Sequence, residues 1–70
     1  MPVFLAPTDE ELTVLHVHGR DEITRHLHDL GIVEGAKVRL LSKEGKSVIL
    51  ILGGSRMALD SGLASRIMVG

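Results

Sequence analysis

The chain of 70 residues contains no cysteine, tryptophan or tyrosine, and Phe4 is its only phenylalanine. Without cysteine there can be no disulfide bridge and no thiolate zinc site, which fits a reducing cytoplasm. With one aromatic ring there is no row of stacking platforms for single-stranded nucleic acid. A chain of this length is expected to fold as a single domain over residues 1–70, with a core built from aliphatic side chains.

An excess of charge of either sign is also missing, because eight Lys and Arg residues balance nine Asp and Glu residues and leave a net charge of −1. Proteins that bind duplex nucleic acid by electrostatics usually carry a basic excess. No apolar run approaches the ~20 residues that a membrane span needs, and the first residues lack the basic start of a signal peptide. The sequence therefore predicts a cytoplasmic module that binds no nucleic acid and does not insert into a membrane.

Short apolar and β-branched runs separated by turn residues predict five or six strands. The predicted strands are residues 3–6, 12–18, 36–42, 47–52, 55–59 and 65–69. Tight turns are expected at Glu44-Gly45 and at Gly53-Gly54. The run 47–52 is apolar on both faces, which is typical of an internal strand.

One helix is predicted at about residues 21–30. Its expected core-facing stripe has the spacing i, i+4 and i+7 and consists of Ile23, Leu27 and Leu30. Asp21 suits the N-cap or the first turn, and it can pair with Arg25 one turn later. Gly31 follows at the place where a helix C-terminus favours a residue that tolerates positive φ.

The order of these elements predicts the fold class, which is mainly β. The predicted architecture is a small SH3-like β-barrel. It consists of a strand, an inserted helix, hairpin-linked strands, a one-turn helix near 60–64 capped by Asp60, and a last strand. Closing the sheet in this way removes exposed strand edges.

Three segments resemble the FeoA family, the small cytoplasmic proteins of bacterial ferrous iron transport. Residues 25–38 resemble the family pattern R-x-L-x-x-L-G-(I/F/L)-x-x-G-x-x-(V/I). Residues 55–60 and 63–69 resemble its closing ALD…LA…I-x-V. The similarity extends from Val3 to Val69. One departure is that residues 7–11 stand where the family commonly has a glycine before the first long strand.

The resemblance implies a non-enzymatic accessory protein that docks on FeoB, a membrane GTPase-permease, and modulates it. We expect the docking surface to include Arg25, His28, Asp29 and Val33, with neighbouring strand residues, and we expect a monomer. The resemblance also implies kinship to the C-terminal SH3-like domain of iron-dependent repressors. The alternative function is therefore a transition-metal sensor or an iron-delivery module.

Two histidines suggest where a metal ion could bind. His16 and His18 are expected on the same strand face as Leu12 and Val14. The two histidines would be about 7 Å apart along the strand, a spacing that metal sites can use. A third ligand would come from elsewhere, such as Asp9, Glu10 or Glu11. The simpler alternative is that both histidines are exposed polar residues at a strand end. No cofactor is required, and Fe²⁺ or another divalent ion would bind weakly.

No arrangement of residues indicates an enzyme. The chain has no G-x-S-x-G elbow, and Gly45-Lys46-Ser47 lacks the upstream glycine of a phosphate-binding loop. GTP hydrolysis, where it matters, belongs to the partner.

Two other surface features are open to alternative interpretations. Lys37, Arg39 and Lys43 are expected on the outward face of one strand, either as a solvated face or as a recognition edge for an acidic partner. Several apolar residues are expected on faces opposite the main core, and those that remain exposed together would form a docking patch. These residues are Leu15, Val17, Leu41, Ile49 and Ile51.

Overall fold

Five strands, two α-helices and one turn of 3-10 helix make up the protein, in a computed structural model that describes residues 1–70. In chain order they are a 3-10 helix Val3–Leu5, β1 Glu11–Val17, α1 Asp21–Asp29, β2 Lys37–Glu44, β3 Ser47–Leu52, β4 Ser55–Asp60, α2 Ser61–Ala64 and β5 Ile67–Val69. The five strands form one antiparallel sheet in the order β4-β3-β2-β1-β5. The predicted mainly β class, with one inserted helix and one short helix near 60–64, is confirmed.

The two hairpins have two-residue turns. Gly53 and Gly54 join β3 to β4, as predicted, while the β2–β3 turn consists of Gly45 and Lys46 and so lies one residue later than expected. Gly45 and Gly53 both have positive φ, near 60°, which is the conformation that such tight turns require. β3 is an internal strand of the sheet, as its apolar run predicts.

The core is entirely aliphatic and contains no buried polar residue. Its nine most deeply buried large side chains come from the 3-10 helix, α1, the connection after α1 and four of the five strands. They are Leu27, Ile32, Leu40, Leu50, Ile67, Val3, Val14, Val38 and Val69. Because no polar side chain has to be buried in this core, nearly all its driving force comes from burial of apolar area.

The N-terminal residues depart from the prediction. Residues 3–6 were expected to form a strand, but Val3–Leu5 is a 3-10 helix that buries Val3 completely. The sheet contact in this region is a single bridge between Pro2 and Met68. At the other end of the chain β5 is shorter than expected, because α2 and the turn after it occupy the residues up to Arg66.

The helix α1 ends in a Schellman motif. The amide of Gly31 donates to the carbonyl of His28 at 2.9 Å, and the amide of Ile32 donates to that of Leu27 at 2.9 Å. Ile32 therefore packs into the core beside Leu27, whereas Leu30 is 37% exposed. The prediction that Leu30 completes the core stripe is wrong, because the motif turns the chain and places Ile32 there instead.

The start of α1 also differs from the prediction. Arg20 is the N-cap residue and makes no side-chain cap, while Asp21 and Glu22 lie in the first turn, where acids favour the helix dipole. Asp21 is therefore a first-turn acid, the second of its two expected roles, and not the N-cap. The expected pairing of Asp21 with Arg25 does not form, since the one ion pair within 4.0 Å joins His16 to Glu34.

A β-bulge in β1 inverts the alternation of its side chains. The register shifts between Val14 and His16, so that Leu15 is the extra residue. Val17 is consequently buried, whereas Leu15 and His16 are exposed. The prediction that His16 shares a face with Leu12 and Val14 is wrong, as is the prediction that Val17 points away from the core.

A second bulge interrupts β2. Leu40 pairs with Leu50 and Ser42 pairs with Ile49, which leaves Leu41 as the extra residue. Lys43 is therefore opposite the buried Val48 and lies on the other face from Arg39. The prediction that Lys37, Arg39 and Lys43 share one outward face holds for the first two residues and is wrong for Lys43.

The short helix α2 is capped as expected. The Oδ1 atom of Asp60 accepts a hydrogen bond of 2.8 Å from the backbone amide of Leu63. No helix in the structure is both long and apolar enough to pass through a membrane.

Candidate functional site

The outer side of α1 brings three of the expected docking residues together. Arg25, His28 and Asp29 are spaced i, i+3 and i+4, so their side chains lie on one face of the helix, and all three are exposed. The opposite side of the helix is held to the core by Leu27, with Ile23 packed beside it. The helix is thus anchored by two apolar residues and presents a charged face outwards.

Val33 lies on the connection that follows the helix, and it is 39% exposed. The connection is fixed on both sides of Val33. Ile32 is buried before it, and after it the amide of Gly35 donates to the carbonyl of Val14 at 2.8 Å. Gly35 has a φ of 91°, a conformation that favours glycine. Val33 is therefore held in an exposed position, and Leu30, which is exposed although helical spacing predicts it in the core, adds a second apolar side chain.

The two histidines do lie side by side. The ring centroids of His16 and His18 are 4.4 Å apart in an edge-on arrangement with an interplanar angle of 81°. The Nδ1 atom of His16 is 3.3 Å from the Oε1 atom of Glu34, and both side chains are more than half exposed. Glu34 directly follows Val33 on the connection after α1, so this cluster borders the exposed residues at the end of the helix.

The acidic neighbour is not one of the three expected residues. Glu11 is at the opposite end of β1, about 17 Å from His16 at the rise of an extended strand. Asp9 is held there as well, since its amide donates to the carbonyl of Leu40 at 2.9 Å. Sequence spacing gave no signal for Glu34, because its position depends on the fold of the connection against β1. The structure contains no group of three or more His, Cys, Asp or Glu side chains arranged to hold a metal ion.

The concave surfaces of the protein carry no catalytic arrangement. A cleft of about 510 Å³ opens between the β2–β3 turn and α2, where Phe4, Lys43, Lys46 and Ser61 line it. A smaller concavity of about 210 Å³ lies beside Arg39. Neither one brings a hydroxyl next to a histidine or carboxylate that could act as its base.

Comparison with known protein families gives a match over the whole chain. The model of the FeoA domain matches residues 1–70.

The chain belongs to the FeoA family. This confirms the resemblance in residues 25–38, 55–60 and 63–69. FeoA proteins are small domains connected with iron transport and are not a known family of enzymes. No curated protein sequence matches the chain significantly.

Two solved FeoA structures are similar to this one. An iron uptake regulatory protein (FeoA) has a TM-score of 0.89 and 27% identity, over 99% of this chain and 93% of that one. FeoA of Stenotrophomonas maltophilia in complex with zinc has a TM-score of 0.84 and 32% identity, over 100% of this chain and 89% of that one. The latter is described as a prokaryotic SH3 domain protein, so the expected SH3-like fold is confirmed.

The fold also occurs inside a larger metal-binding protein. ScaR with bound Zn²⁺ has a TM-score of 0.88 and 20% identity, over 99% of this chain but only 35% of that one. At this level of identity the likeness concerns the fold alone. The expected kinship to the SH3-like domain of iron-dependent repressors stays a prediction.

Proposed function

We propose that this FeoA domain is a non-enzymatic, cytoplasmic accessory protein that docks on the soluble GTPase region of a FeoB-type iron transporter and modulates it. The docking surface, called the helix surface below, consists of Arg25, His28, Asp29, Leu30 and Val33. The observation that carries the proposal is the exposure of this charged and apolar set on a rigidly held helix end. The domain needs no cofactor for this role and acts as a single unit over residues 1–70.

The chemistry of the helix surface suits a protein partner. Leu30 and Val33 offer exposed apolar area, and Arg25 and Asp29 offer charges of both signs, a mixture that is usual in small interfaces. Arg25 and Asp29 make no ion pair within the chain. They can therefore pair across an interface without breaking an existing contact.

Binding measured by calorimetry to a purified soluble GTPase fragment tests this placement. We expect Arg25→Glu and Val33→Asp each to weaken binding at least tenfold while the domain stays folded. Lys46→Glu is a matched control, because it makes the same charge change in the β2–β3 turn, whereas the β3 residue that approaches the end of α1, Leu52, is at the other end of that strand. If the folded double variant at positions 25 and 33 bound with unchanged affinity, the helix surface would not be the docking surface.

A second candidate function, divalent metal binding, is favoured by the contact between His16 and Glu34. Two ligands that share a tetrahedral ion at bond lengths of about 2.0–2.2 Å are about 3.3–3.6 Å apart. The Nδ1 to Oε1 distance of 3.3 Å fits that separation and is long for a charge-assisted hydrogen bond. His18, beside His16, can supply a third donor after rotation of its exposed ring.

Titration of the labelled domain with Zn²⁺, and with Fe²⁺ under anaerobic conditions, tests this function. We expect saturable shifts of the ring signals of His16 and His18, which His16→Ala and Glu34→Gln abolish. His26→Ala is the control, since His26 is exposed on α1 and makes no ion pair with Glu34. Shifts that survive in the His16 variant would exclude this site.

A further inference from the structure

The outward face of β2, β3 and β4 carries three parallel rows of side chains. Strand pairing places each outward residue of β3 between one residue of β2 and one of β4. The rows are Glu44, Ser47 and Asp60 at the end near α2, Ser42, Ile49 and Ala58 in the middle, and Arg39, Ile51 and Arg56 at the other end. One end of this face, called the striped face below, is therefore acidic, its middle is apolar and its other end is basic.

The bulge at Leu41 creates this arrangement. Arg39 and Glu44 are five positions apart, so a regular strand would place them on opposite faces. The extra residue restores them to the same face, where Arg39 is opposite Ile51 and Glu44 is opposite Ser47. The bulge also adds the half-buried side chain of Leu41 to the middle of the face.

The charges at the two ends of the striped face have no ion-pair partners within the chain. Arg39, Glu44 and Arg56 are exposed, and none of them has an oppositely charged atom within 4.0 Å. Glu11 is opposite Arg39 on β1 but is not within that distance either. The acidic row and the basic row are four residue steps apart along β3, about 13 Å, which exceeds the Debye length of ~8 Å at physiological salt. The two rows therefore do not neutralise each other.

We propose that the striped face binds a second copy of this chain. A two-fold axis along the middle row turns the acidic row of one copy onto the basic row of the other. Arg39 then faces Glu44 of the second copy, Arg56 faces Asp60, and the two Ile49 side chains meet at the centre. Closed two-fold contacts of this kind need a surface that is complementary to itself, and the striped face has that property.

Other occupants fit the face less well. A partner of one charge sign, such as an acidic peptide or a nucleic acid, would be attracted by Arg39 and Arg56 but repelled by Glu44 and Asp60. A copy rotated about an axis parallel to the strands would place acid against acid. Only the antiparallel arrangement of two copies pairs both rows, and it leaves α1 free, so this proposal does not rest on the proposed docking to a transporter.

The size of the striped face sets the strength of the contact. Three strands and three rows cover roughly 15 by 20 Å, so the area buried by two copies falls below the ~1,200 Å² of a standard interface. The association is consequently weak, with a dissociation constant between micromolar and millimolar. The monomer expected from the sequence is the form present in dilute solution.

Sedimentation equilibrium of the full chain up to millimolar concentration tests the proposal. We expect reversible dimerisation that Arg39→Glu and Glu44→Arg each weaken at least tenfold, because each variant opposes like charges twice. An equimolar mixture of these two variants should dimerise again, since both contacts in the mixed pair join a carboxylate to a guanidinium.

The control is Lys43→Glu, which makes the same charge change on the same strand but on the other face. It should dimerise like the unaltered chain. A chain that stays monomeric at millimolar concentration, a mixture that fails to associate, or a Lys43 variant as weakened as the Arg39 variant would each overturn the proposal.

Discussion

Leu27 and Ile32 are joined by a backbone hydrogen bond of 2.9 Å, and both side chains are completely buried. The bond closes the Schellman motif, and the burial of the two side chains ties the end of α1 to the core. Leu30, which lies between them in the chain, and Val33, which follows Ile32, are forced outwards by the same geometry. The exposed helix surface is thus a direct result of how the helix ends.

The first prediction concerns Gly31. Its φ is 93°, and a Cβ atom there would be only 2.9 Å from Cδ2 of Leu52. Gly31→Ala should therefore lower the free energy of unfolding by about 1–3 kcal/mol, measured by urea denaturation. Gly54→Ala is the control, because a Cβ at Gly54 meets open space, and it should change stability by less than ~0.5 kcal/mol. Equal effects at the two glycines would contradict this account of Gly31.

The second prediction concerns the anchor of α1. Leu27→Ala should destabilise the domain by about 2–5 kcal/mol, because it leaves a cavity beneath the helix. In a domain this small such a loss is enough to unfold a large fraction of the molecules at room temperature. Leu5→Ala, at a leucine that is 61% exposed, should have almost no effect on the thermal midpoint. If Leu27→Ala lowered the stability only slightly, the helix would contribute little to the core.

The third prediction tests the bulge in β1. The regular alternation of the sequence puts His16 inside and Val17 outside, whereas the structure reverses them. Val17→Ala should lower the free energy of unfolding by about 2 kcal/mol, and His16→Ala should change it by less than ~0.5 kcal/mol. Thermal unfolding, monitored by circular dichroism, gives the stability of each variant. The opposite ranking would show that β1 has no bulge.

The fourth prediction concerns the cap of α2. Asp60→Ala removes the acceptor for the amide of Leu63 and should cost about 1 kcal/mol. Asp60→Asn keeps an acceptor oxygen at the same place and should retain most of that stability. If both variants lost the same free energy of unfolding, the charge of Asp60 rather than its hydrogen bond would account for the stabilisation.

Features that depend on neighbouring residues could be predicted from the sequence, while features that depend on cross-strand pairing could not. The Gly53-Gly54 turn, the Asp60 cap and the glycine that ends α1 are each specified by a few adjacent residues. The bulges at Leu15 and Leu41 are set by how each strand aligns with its partners, and no residue in either strand signals them. Wherever a strand was assumed to be regular, the predicted faces were wrong beyond the bulge.

The candidate sites follow the same division. The grouping of Arg25, His28 and Asp29 comes from helical spacing and could be predicted. The approach of Glu34 to His16 joins residues 18 positions apart, and it arises only because the connection after α1 is bonded to β1. The three rows of the striped face likewise need the β2 bulge, which local patterns do not reveal.

The two bulges also govern how the length of this chain can change during evolution. Loss or gain of one residue within β1 or β2 would exchange the inner and outer faces for the rest of that strand, and would send charged side chains into an aliphatic core. Turns such as Gly45-Lys46 carry no such penalty. Descendants of this sequence should therefore vary in length at the turns, while the two bulged strands are inherited at fixed length.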